Sequence, residues 1–390
     1  MPRREVRDIA FLFLRLGTLA FGGPAAHIAM MEEEVVRRRR WMSREQFLDY
    51  LGATNLIPGP NSTELAIHIG HDKGGWPGLL AAGAAFILPA AIIVSAIAWG
   101  YRRYGTLPEV SGVLYGIRPI VIAIILQALW NLGRAAVKSR WLALLSVGAV
   151  VAVAAGVNEL LVLAGAGVAA ALANCAASGK PAKARVLGLV AAVGVGAAPL
   201  TAGGAVGVAV APAPFGLWAL FLAFVKIGSV LFGSGYVLLA FLRADFVTRF
   251  GWLTEQQLLD ATAVGQVTPG PVFTTATFVG YLLAGPVGAS VATAGIFLPA
   301  FVFVALSGPL VPRLRRLPVA GAVLDGVNVA SLALMAVVTW QLGRASLVDV
   351  PTVLLGACGL FGLVWFRLSS AWLVVAGMLV GLLLALARGG

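Results

Sequence analysis

The residues best suited to do chemistry in this sequence lie in two polar stretches, 55–64 (NLIPGPNSTE) and 266–275 (QVTPGPVFTT). Each contains a Pro-Gly-Pro motif, and proline lacks an N–H and disfavours helix in the residue before it, so each motif should interrupt a helix. Because proline suits the start of a helix, new helices are expected to begin near Pro60 and Pro271. The free N–H groups and positive dipole end of such a helix favour an anion.

We predict an anion site built from the glycines, amides and hydroxyls of these stretches and of a glycine pair upstream. The predicted ligands are Gly22, Gly23, Asn55, Gly59, Asn61, Ser62, Thr63, Gln266, Gly270, Thr274 and Thr275, and the predicted helix breaks are Pro58, Pro60, Pro269 and Pro271. The competing interpretation is a kink that serves packing alone. The duplication of the motif in apolar surroundings favours a functional site.

Two cations, Arg15 and Lys226, lie inside apolar runs. Charge within a membrane is costly and is usually functional. Two cations beside two helix starts suit a divalent oxyanion, so we add both to the predicted site. The alternative is that their long side chains reach the membrane interface, because Arg15 is only about two turns into its run.

Glu64 and His27 are the candidates for carrying a coupled proton. Glu64 lies four residues before His68, which puts both on one helix face. His27 has an ordinary pKa close to physiological pH, although a lone histidine is more often a packed hydrogen-bonding group. The counterpart of Glu64 in the second stretch is Thr275, so the two stretches are chemically unequal.

The composition requires these residues to work inside a membrane. Of 390 residues, 60% are hydrophobic and only 11% are charged, against about 25% charged in soluble domains. At about 20 residues per span, the chain provides about a dozen helices and little else. A soluble enzyme, a secreted disulfide scaffold and a disordered chain are excluded.

Charge and motifs point away from other functions. The net charge of +12 comes from basic residues in short gaps between apolar runs, where they set topology rather than bind nucleic acid. Cys175 and Cys358 lie far apart inside apolar runs, and the sequence has no metal-ligand cluster, nucleotide loop or nucleophile motif. We therefore expect no enzyme activity, no cofactor and no metal.

Thirteen apolar runs are predicted as membrane segments, giving an all-α polytopic protein with about 10–13 of them. The runs are 9–30, 51–71, 76–100, 113–134, 141–157, 159–177, 186–211, 215–241, 261–283, 287–310, 322–342, 351–366 and 371–387. The polar insert 32–50 is predicted to be one amphipathic interfacial helix, with Trp41 and Tyr50 as its aromatic anchors.

The chain consists of two homologous halves. A shift of 211 residues superposes 11–75 on 222–286, including both Pro-Gly-Pro motifs, and a shift of 210 continues the match through Trp130 and Trp340. We predict a first repeat at 1–185, a linking transmembrane helix at 186–214 and a second repeat at 215–390.

Counting crossings predicts that the halves are inverted. If every run crosses, seven crossings separate equivalent points, and the Lys and Arg bias favours a cytoplasmic N-terminus, although Arg37–Arg40 then fall on the wrong side. If the Pro-Gly-Pro runs were re-entrant, the same count would make the halves parallel; we favour inverted halves. Inverted repeats with interrupted helices are typical of secondary transporters, which bind substrate between the repeats.

Long stretches of the sequence resemble the chromate ion transporter family in its two-domain form. They are FGGPAAHIAMMEEEVVRRRRW (21–41), FLDYLGATNLIPGPNSTELAIHIG (47–70), GWPGLLAAGAAFILPA (75–90), FGSGYVLLAFLRADF (232–246) and GQVTPGPVFTTATFVGYL (265–282). The resemblance covers roughly 10–135 and 220–345. It includes the glycine pair, His27, the segment from Asn55 to Glu64 and the second Pro-Gly-Pro motif.

This resemblance implies export of chromate across the cytoplasmic membrane, driven by the proton-motive force and giving chromate resistance. Sulfate, of equal charge and shape, is the alternative substrate, either in a general oxyanion carrier or in uptake, and a passive anion channel is a further alternative. The implied partners are chromate, protons and membrane lipid, without nucleic acid. The oligomeric state stays open, with a homodimer as one option.

Overall fold

The computed structural model describes residues 3–20, 23–105, 107–177, 215–232, 235–307 and 318–389. Within these ranges every regular element is helical, and six helices are long and apolar enough to cross a membrane. The protein is therefore a multi-pass membrane protein, as predicted. The predicted linking helix at 186–214 lies outside the described residues.

Within the described ranges, each repeat contributes seven α-helices in the same order. In the first repeat they are α1 (Arg3–Leu19), α2 (Gly23–Glu32), α3 (Arg44–Thr54), α4 (Asn61–Tyr104), α5 (Pro108–Ala136), α6 (Arg140–Ala154) and α7 (Glu159–Ala177). In the second they are α8 (Leu217–Val230), α9 (Leu238–Leu242), α10 (Glu255–Val267), α11 (Thr275–Ser307), α12 (Pro318–Ser346), α13 (Val350–Val364) and α14 (Ser370–Gly389).

The polar insert 32–50 is not the single amphipathic helix that we predicted. A π-helical turn, Glu33–Arg38, ends the helix that begins at Gly23, and α3 starts afresh after Ser43. The Ser43 hydroxyl accepts from the backbone of Gln46, whose side chain accepts from Ser43 N–H, so this capping box fixes the new start. The second repeat has the same π turn, Arg243–Arg249, followed by the same type of cap.

The first run of each repeat folds back on itself. Arg15 in α1 contacts Glu34, and Lys226 in α8 contacts Asp245, in both cases 19 residues further along the chain. A straight helix would separate such residues by about 28 Å, so the chain reverses between α1 and α2 and again between α8 and α9. Neither run 9–30 nor run 215–241 continues straight across the membrane.

The Pro-Gly-Pro segments are re-entrant as well. The Tyr50 hydroxyl in α3 donates to Asp72 in α4 at 2.8 Å, which requires the two helices to lie side by side with the motif at their tip. In α4 the backbone turns at Gly75 (φ 56°), and Gly70 packs directly on Gly78. The helix is thus a hairpin with a first arm at 61–74 and a second arm at 76–104. A positive φ and a backbone contact this close both require glycine.

The second repeat repeats this hairpin with one residue fewer. Gly280 packs on Gly288 around a turn at Gly285 (φ 62°). In this hairpin, equivalent residues of the two repeats are therefore 210 positions apart. The missing residue lies in a 3-10 turn, Val272–Thr274, that replaces the α-helical residues 61–64. Three residues of 3-10 helix, which rises about 2.0 Å per residue, span the same length as four residues of α-helix, which rises about 1.5 Å per residue. Glu64 therefore corresponds to Thr274, not to Thr275 as the 211 register predicted.

Equivalent helices run antiparallel to each other. The second arm of α4 packs on α11 with Gly83 against Phe301 and with Arg102 near Gly285. The two helical segments therefore run in opposite directions. The two halves are therefore inverted. Our expectation that re-entrant Pro-Gly-Pro runs would make the halves parallel was wrong, because the first run of each repeat also folds back. Two fewer membrane crossings then separate equivalent points of the halves. The number of crossings stays odd, so the halves stay inverted.

The scaffold helices are exchanged between the halves. α5 packs against α13 and α14 of the second repeat, and α12 packs against α6 and α7 of the first. Backbones come very close where glycines face each other, as Gly116 does with Gly377 and Gly381. Small residues at membrane helix interfaces permit this approach. Each repeat therefore completes the core of the other.

Candidate functional site between the repeats

Each Pro-Gly-Pro tip is bonded to the break in the opposite repeat. The Gly59 N–H donates to the Leu231 carbonyl at 2.8 Å, and the Gly270 N–H donates to the Ala20 carbonyl at 3.1 Å. Positions 20 and 231 are equivalent under the repeat, as are 59 and 270, so the two bonds form a symmetric pair. Four helix interruptions, two from each half, therefore meet between the repeats.

The tip of the first repeat gathers the predicted polar residues. α3 ends at Thr54 and α4 begins at Asn61, so Pro58, Gly59 and Pro60 form the connection. The Asn61 side-chain amide donates to the Asn55 side-chain carbonyl at 2.8 Å and ties the two ends of the tip together.

His27 links this tip to the break in α1–α2. Its Nε2 lies 3.1 Å from the Ala20 carbonyl, and its Nδ1 lies 3.3 Å from the Ser62 hydroxyl. A carbonyl oxygen only accepts, so Nε2 carries the hydrogen, and Nδ1 of the neutral ring accepts from Ser62. His27 is 1% exposed and packs edge-on against Phe86. The ring therefore holds two interruptions of the same repeat together.

Glu64 and Thr63 are fully buried in the first turn of α4. The Glu64 carboxylate lies against Gly59 at the tip. Neither of its oxygens, nor the Thr63 hydroxyl, has a hydrogen-bond partner among the described residues. Buried polar atoms are nearly always paired in native proteins, so these atoms are available to a ligand, a proton or a water molecule.

The tip of the second repeat is less polar. Thr274 and Thr275 donate to the carbonyls of Pro271 and Val272 in their own turn. Gln266 and Thr275 line a small cavity together with Tyr236. Pro269 and Pro271 flank Gly270, which has a positive φ of 88°.

The two predicted cations do not lie free at the tips. Arg15 is 3.5 Å from Glu34 and is half exposed, whereas Lys226 is 2.6 Å from Asp245, whose side chain is 2% exposed. The sequence pattern already contained the two acids, because the 211 shift places Glu34 on Asp245, and we missed them. Gly23 begins α2 with a φ of 77°, and Gly22 lies outside the described residues.

A further polar cluster connects the repeats. Asp260 in α10 is fully buried and accepts two bonds from Arg118 in α5, at 2.8 and 2.9 Å, and one from the Tyr101 hydroxyl at 2.8 Å. The repeat-equivalent position of Asp260 is Asp49 in the first repeat, which is exposed, and that of Arg118 is Asn328 in the second. The bidentate pair therefore anchors only the second re-entrant hairpin to the scaffold of the other half.

Comparisons with known proteins agree with this architecture. The family model described as "Chromate transporter" matches residues 7–171 and 218–382. A "Chromate transport protein" of Cupriavidus metallidurans is 35% identical over 98% of this chain and 94% of its own length. A "Probable chromate transport protein" of Synechococcus elongatus is 33% identical over 92% and 90%, and a "Chromate transport protein" of Pseudomonas aeruginosa is 33% identical over 88% and 82%.

No solved structure matches the chain. The family match falls in two separate regions, which confirms the prediction of two homologous halves. The matched regions contain both Pro-Gly-Pro tips, both ion-paired hairpins and all or most of each exchanged scaffold helix. With relatives matched over nearly their full length, the chain belongs to the chromate transporter family.

Proposed function

We propose that the protein is a secondary active transporter that exports chromate across the cytoplasmic membrane, driven by the proton-motive force, and so gives chromate resistance. Family membership and the names of three near full-length relatives support chromate as the substrate. Inverted repeats with interrupted helices support a carrier that alternates its access. The tetrahedral dianion sulfate is the alternative substrate, in a general oxyanion carrier, and a passive anion channel is the alternative mechanism.

The observation that carries this proposal is the reciprocal pair of backbone bonds, Gly59 to Leu231 and Gly270 to Ala20. They bring the start of α4 and the start of α11 to the interface between the repeats. N–H groups at helix starts bind anions without a full positive charge. The dianion would lie between the two tips, against Gly59, Asn61, Ser62 and Thr63 on one side and Gly270, Thr274 and Thr275 on the other.

Arg15 and Lys226 are proposed to supply positive charge to this site from positions next to the tips rather than at the tips themselves. Each closes a hairpin whose break reaches the opposite tip, so each is positioned to exchange its carboxylate partner for the substrate. The difference in exposure, with side chains 49% and 29% exposed, favours Lys226 as the stronger contributor. A charged hydrogen bond contributes about 1.5–3 kcal/mol.

Proton coupling is assigned to Glu64, with His27 as the second candidate. Glu64 combines complete burial, two unpaired carboxylate oxygens and contact with the tip, so its charge state would respond to a dianion bound there.

The first experiment is chromate binding to the purified protein, with sulfate as competitor. The variants are Lys226→Gln/Asp245→Asn, because the single change would remove the close partner of the buried Asp245 carboxylate, and Arg15→Gln, because Glu34 keeps Arg38 and Arg39 as partners. A charge partner worth about 1.5–3 kcal/mol predicts an affinity about 10- to 150-fold weaker. Wild-type affinity in both variants would remove the cations from the site, and sulfate binding without chromate preference would favour a general oxyanion carrier.

The transport mechanism needs a separate measurement in proteoliposomes that contain a pH-sensitive dye. A proton-coupled carrier changes the internal pH as chromate moves along its gradient. A channel dissipates the chromate gradient without such a change. Chromate flux with a constant internal pH would therefore replace the proposed antiport with passive conduction.

A further inference from the structure

Three ionisable side chains lie on one face of the first arm of α4. Glu64, His68 and Asp72 are spaced four residues apart, and residues at this spacing are neighbours on a helix surface. Each step rises about 6 Å along the helix axis. The three groups thus form a line from the Pro-Gly-Pro tip to the turn at Gly75.

Burial decreases along this line. Glu64 is 0% exposed, His68 is 6% exposed and Asp72 is exposed. Both carboxylate oxygens of Glu64 and the Nε2 of His68 lack a hydrogen-bond partner among the described residues. The inner two groups therefore have polar atoms without a partner at positions one helical turn apart, and water molecules can bridge polar groups that do not touch.

Tyr50 in α3 holds the outer two groups in place. Its ring stacks on the His68 imidazole with centroids 5.4 Å apart and planes inclined by 11°. Its hydroxyl donates to the Asp72 carboxylate at 2.8 Å. One residue thus fixes the orientation of the imidazole and the position of the acid at the surface.

The second repeat forms the same hairpin without any of these groups. In the structural register its counterparts of Glu64, His68 and Asp72 are Thr274, Phe278 and Leu282, and the counterpart of Tyr50 is Ala261. The hairpin fold therefore does not need the four side chains. Their confinement to one repeat indicates a task that only one repeat performs.

We propose that Glu64, His68 and Asp72 form a proton relay between the substrate site and the membrane surface, with Tyr50 as its positioning residue. This inference rests on the proposed proton-coupled transport. The Glu64 carboxyl gives its proton to the His68 imidazole, leaving a carboxylate and an imidazolium. The imidazolium then passes a proton to Asp72 or to surface water and returns to its neutral form.

The relay opens on the side of the membrane where the N-terminus lies. Gly74 at the end of the arm packs against Ile9 in the first turns of α1. With the predicted cytoplasmic N-terminus, protons leave the relay into the cytoplasm, as export by antiport requires.

Other titratable groups surround the relay. His71 and Lys73 lie on α4 itself, Asp49 lies next to Tyr50 on α3, and His27 from α2 reaches the same helix at Ser62. Glu5 and Asp8 lie on α1 close to the end that meets Gly74. The α11 segment that packs on this arm has no Lys, Arg, His, Asp or Glu. Among all these, only His68 stands between Glu64 and the surface acid on the same helix face.

The test uses the whole protein in proteoliposomes and two readouts. The first is proton flux driven by a chromate gradient, followed with an internal pH dye. The second is exchange of radiolabelled chromate at equal chromate concentration and equal pH on both sides, which needs the substrate site but no net proton transfer. His68→Phe is the main variant, because it keeps the stacked ring and adopts the residue of the second repeat.

We expect His68→Phe to lower chromate-driven proton flux by at least about tenfold, a bound set below the roughly 10²- to 10⁴-fold that positioned proton donors contribute, while exchange stays within about twofold of wild type. Tyr50→Phe, which retains the stack but not the bond to Asp72, should lower the flux less. The matched control is His71→Phe, because His71 packs against Trp76 outside the relay and should leave both readouts unchanged.

Each outcome separates the relay from the function on which it rests. Wild-type proton flux in His68→Phe refutes the relay while leaving coupled transport intact. Equal loss of flux and exchange in His68→Phe and Tyr50→Phe also refutes it, because the side chains would then serve only the fold. A wild-type protein that exchanges chromate but moves no protons refutes the coupling, and one that does neither refutes the proposed function itself.

Discussion

The buried ion pair between Asp260 and Arg118 should be a major stabilising contact between the two repeats. The Asp260 carboxylate is fully buried and accepts three hydrogen bonds, two from Arg118 and one from Tyr101. In Asp260→Asn the charge is lost and one oxygen becomes an NH2 group that faces a donor. The Arg118 side chain, 21% exposed, is then an unpaired cation.

The size of the expected loss in unfolding free energy follows from the burial of both partners. Breaking a buried pair by changing one member costs about 3–5 kcal/mol, because the remaining charge is uncompensated. Asp260→Asn keeps the Tyr101 bond, so we expect a loss near the lower end, about 3 kcal/mol. The double variant Asp260→Asn/Arg118→Met should lose less than the sum of the single variants, because it leaves no charge behind.

The assay is unfolding of the purified protein in mixed micelles with increasing SDS, followed by tryptophan fluorescence. The matched control is Asp49→Asn, at the equivalent position of the first repeat, where the side chain is exposed and Asn328 replaces the arginine. A change at such an exposed position should stay within about 0.5 kcal/mol. If Asp260→Asn also changed the unfolding free energy by less than about 1 kcal/mol, the pair would not hold the repeats together.

Two further variants test the geometry of the breaks by the same SDS titration. Gly75→Ala should lower the unfolding free energy by about 1–3 kcal/mol, because the φ of 56° and ψ of −147° at Gly75 are essentially restricted to glycine. The control is Gly100→Ala, in a helical position with open space around it. Equal effects of the two variants would contradict the turn at Gly75. His27→Leu, which introduces the residue of the second repeat, should cost about 1–3 kcal/mol by leaving the buried Ser62 hydroxyl without its partner, and wild-type stability would show that the ring does not join the two interruptions.

The repeat and the positions of the helix breaks could be predicted from sequence because both depend on local chemistry. A Pro-Gly-Pro motif interrupts a helix wherever it lies, and a shift of 211 residues is visible without any knowledge of the fold. Re-entry of the Pro-Gly-Pro runs was left open, because hydropathy reports how apolar a segment is and not the direction in which it runs. The reversal between α1 and α2 was missed for the same reason.

The partners of the two cations could have been predicted, whereas the contact of Tyr50 with the relay could not. Glu34 and Asp245 occupy equivalent positions, at the same distance in sequence from Arg15 and Lys226. The contact between Tyr50 and Asp72 depends instead on how α3 folds against α4, which no periodicity in the sequence encodes. Tyr50 therefore contacts the α4 arm rather than serving only as the interfacial anchor that its aromatic character predicted.

The exchange of scaffold helices between the halves has a consequence for biosynthesis. The packing surface of α5, which ends at Ala136, is covered by α14, which begins at Ser370 about 230 residues later. At about 5–20 residues per second, translation needs roughly 10–50 s to supply that partner. Throughout this interval the glycine face around Gly116 meets lipid or the insertion machinery. A truncated chain that ends before Ser370 should therefore be a substrate for membrane proteases even though every helix of its first repeat has been inserted.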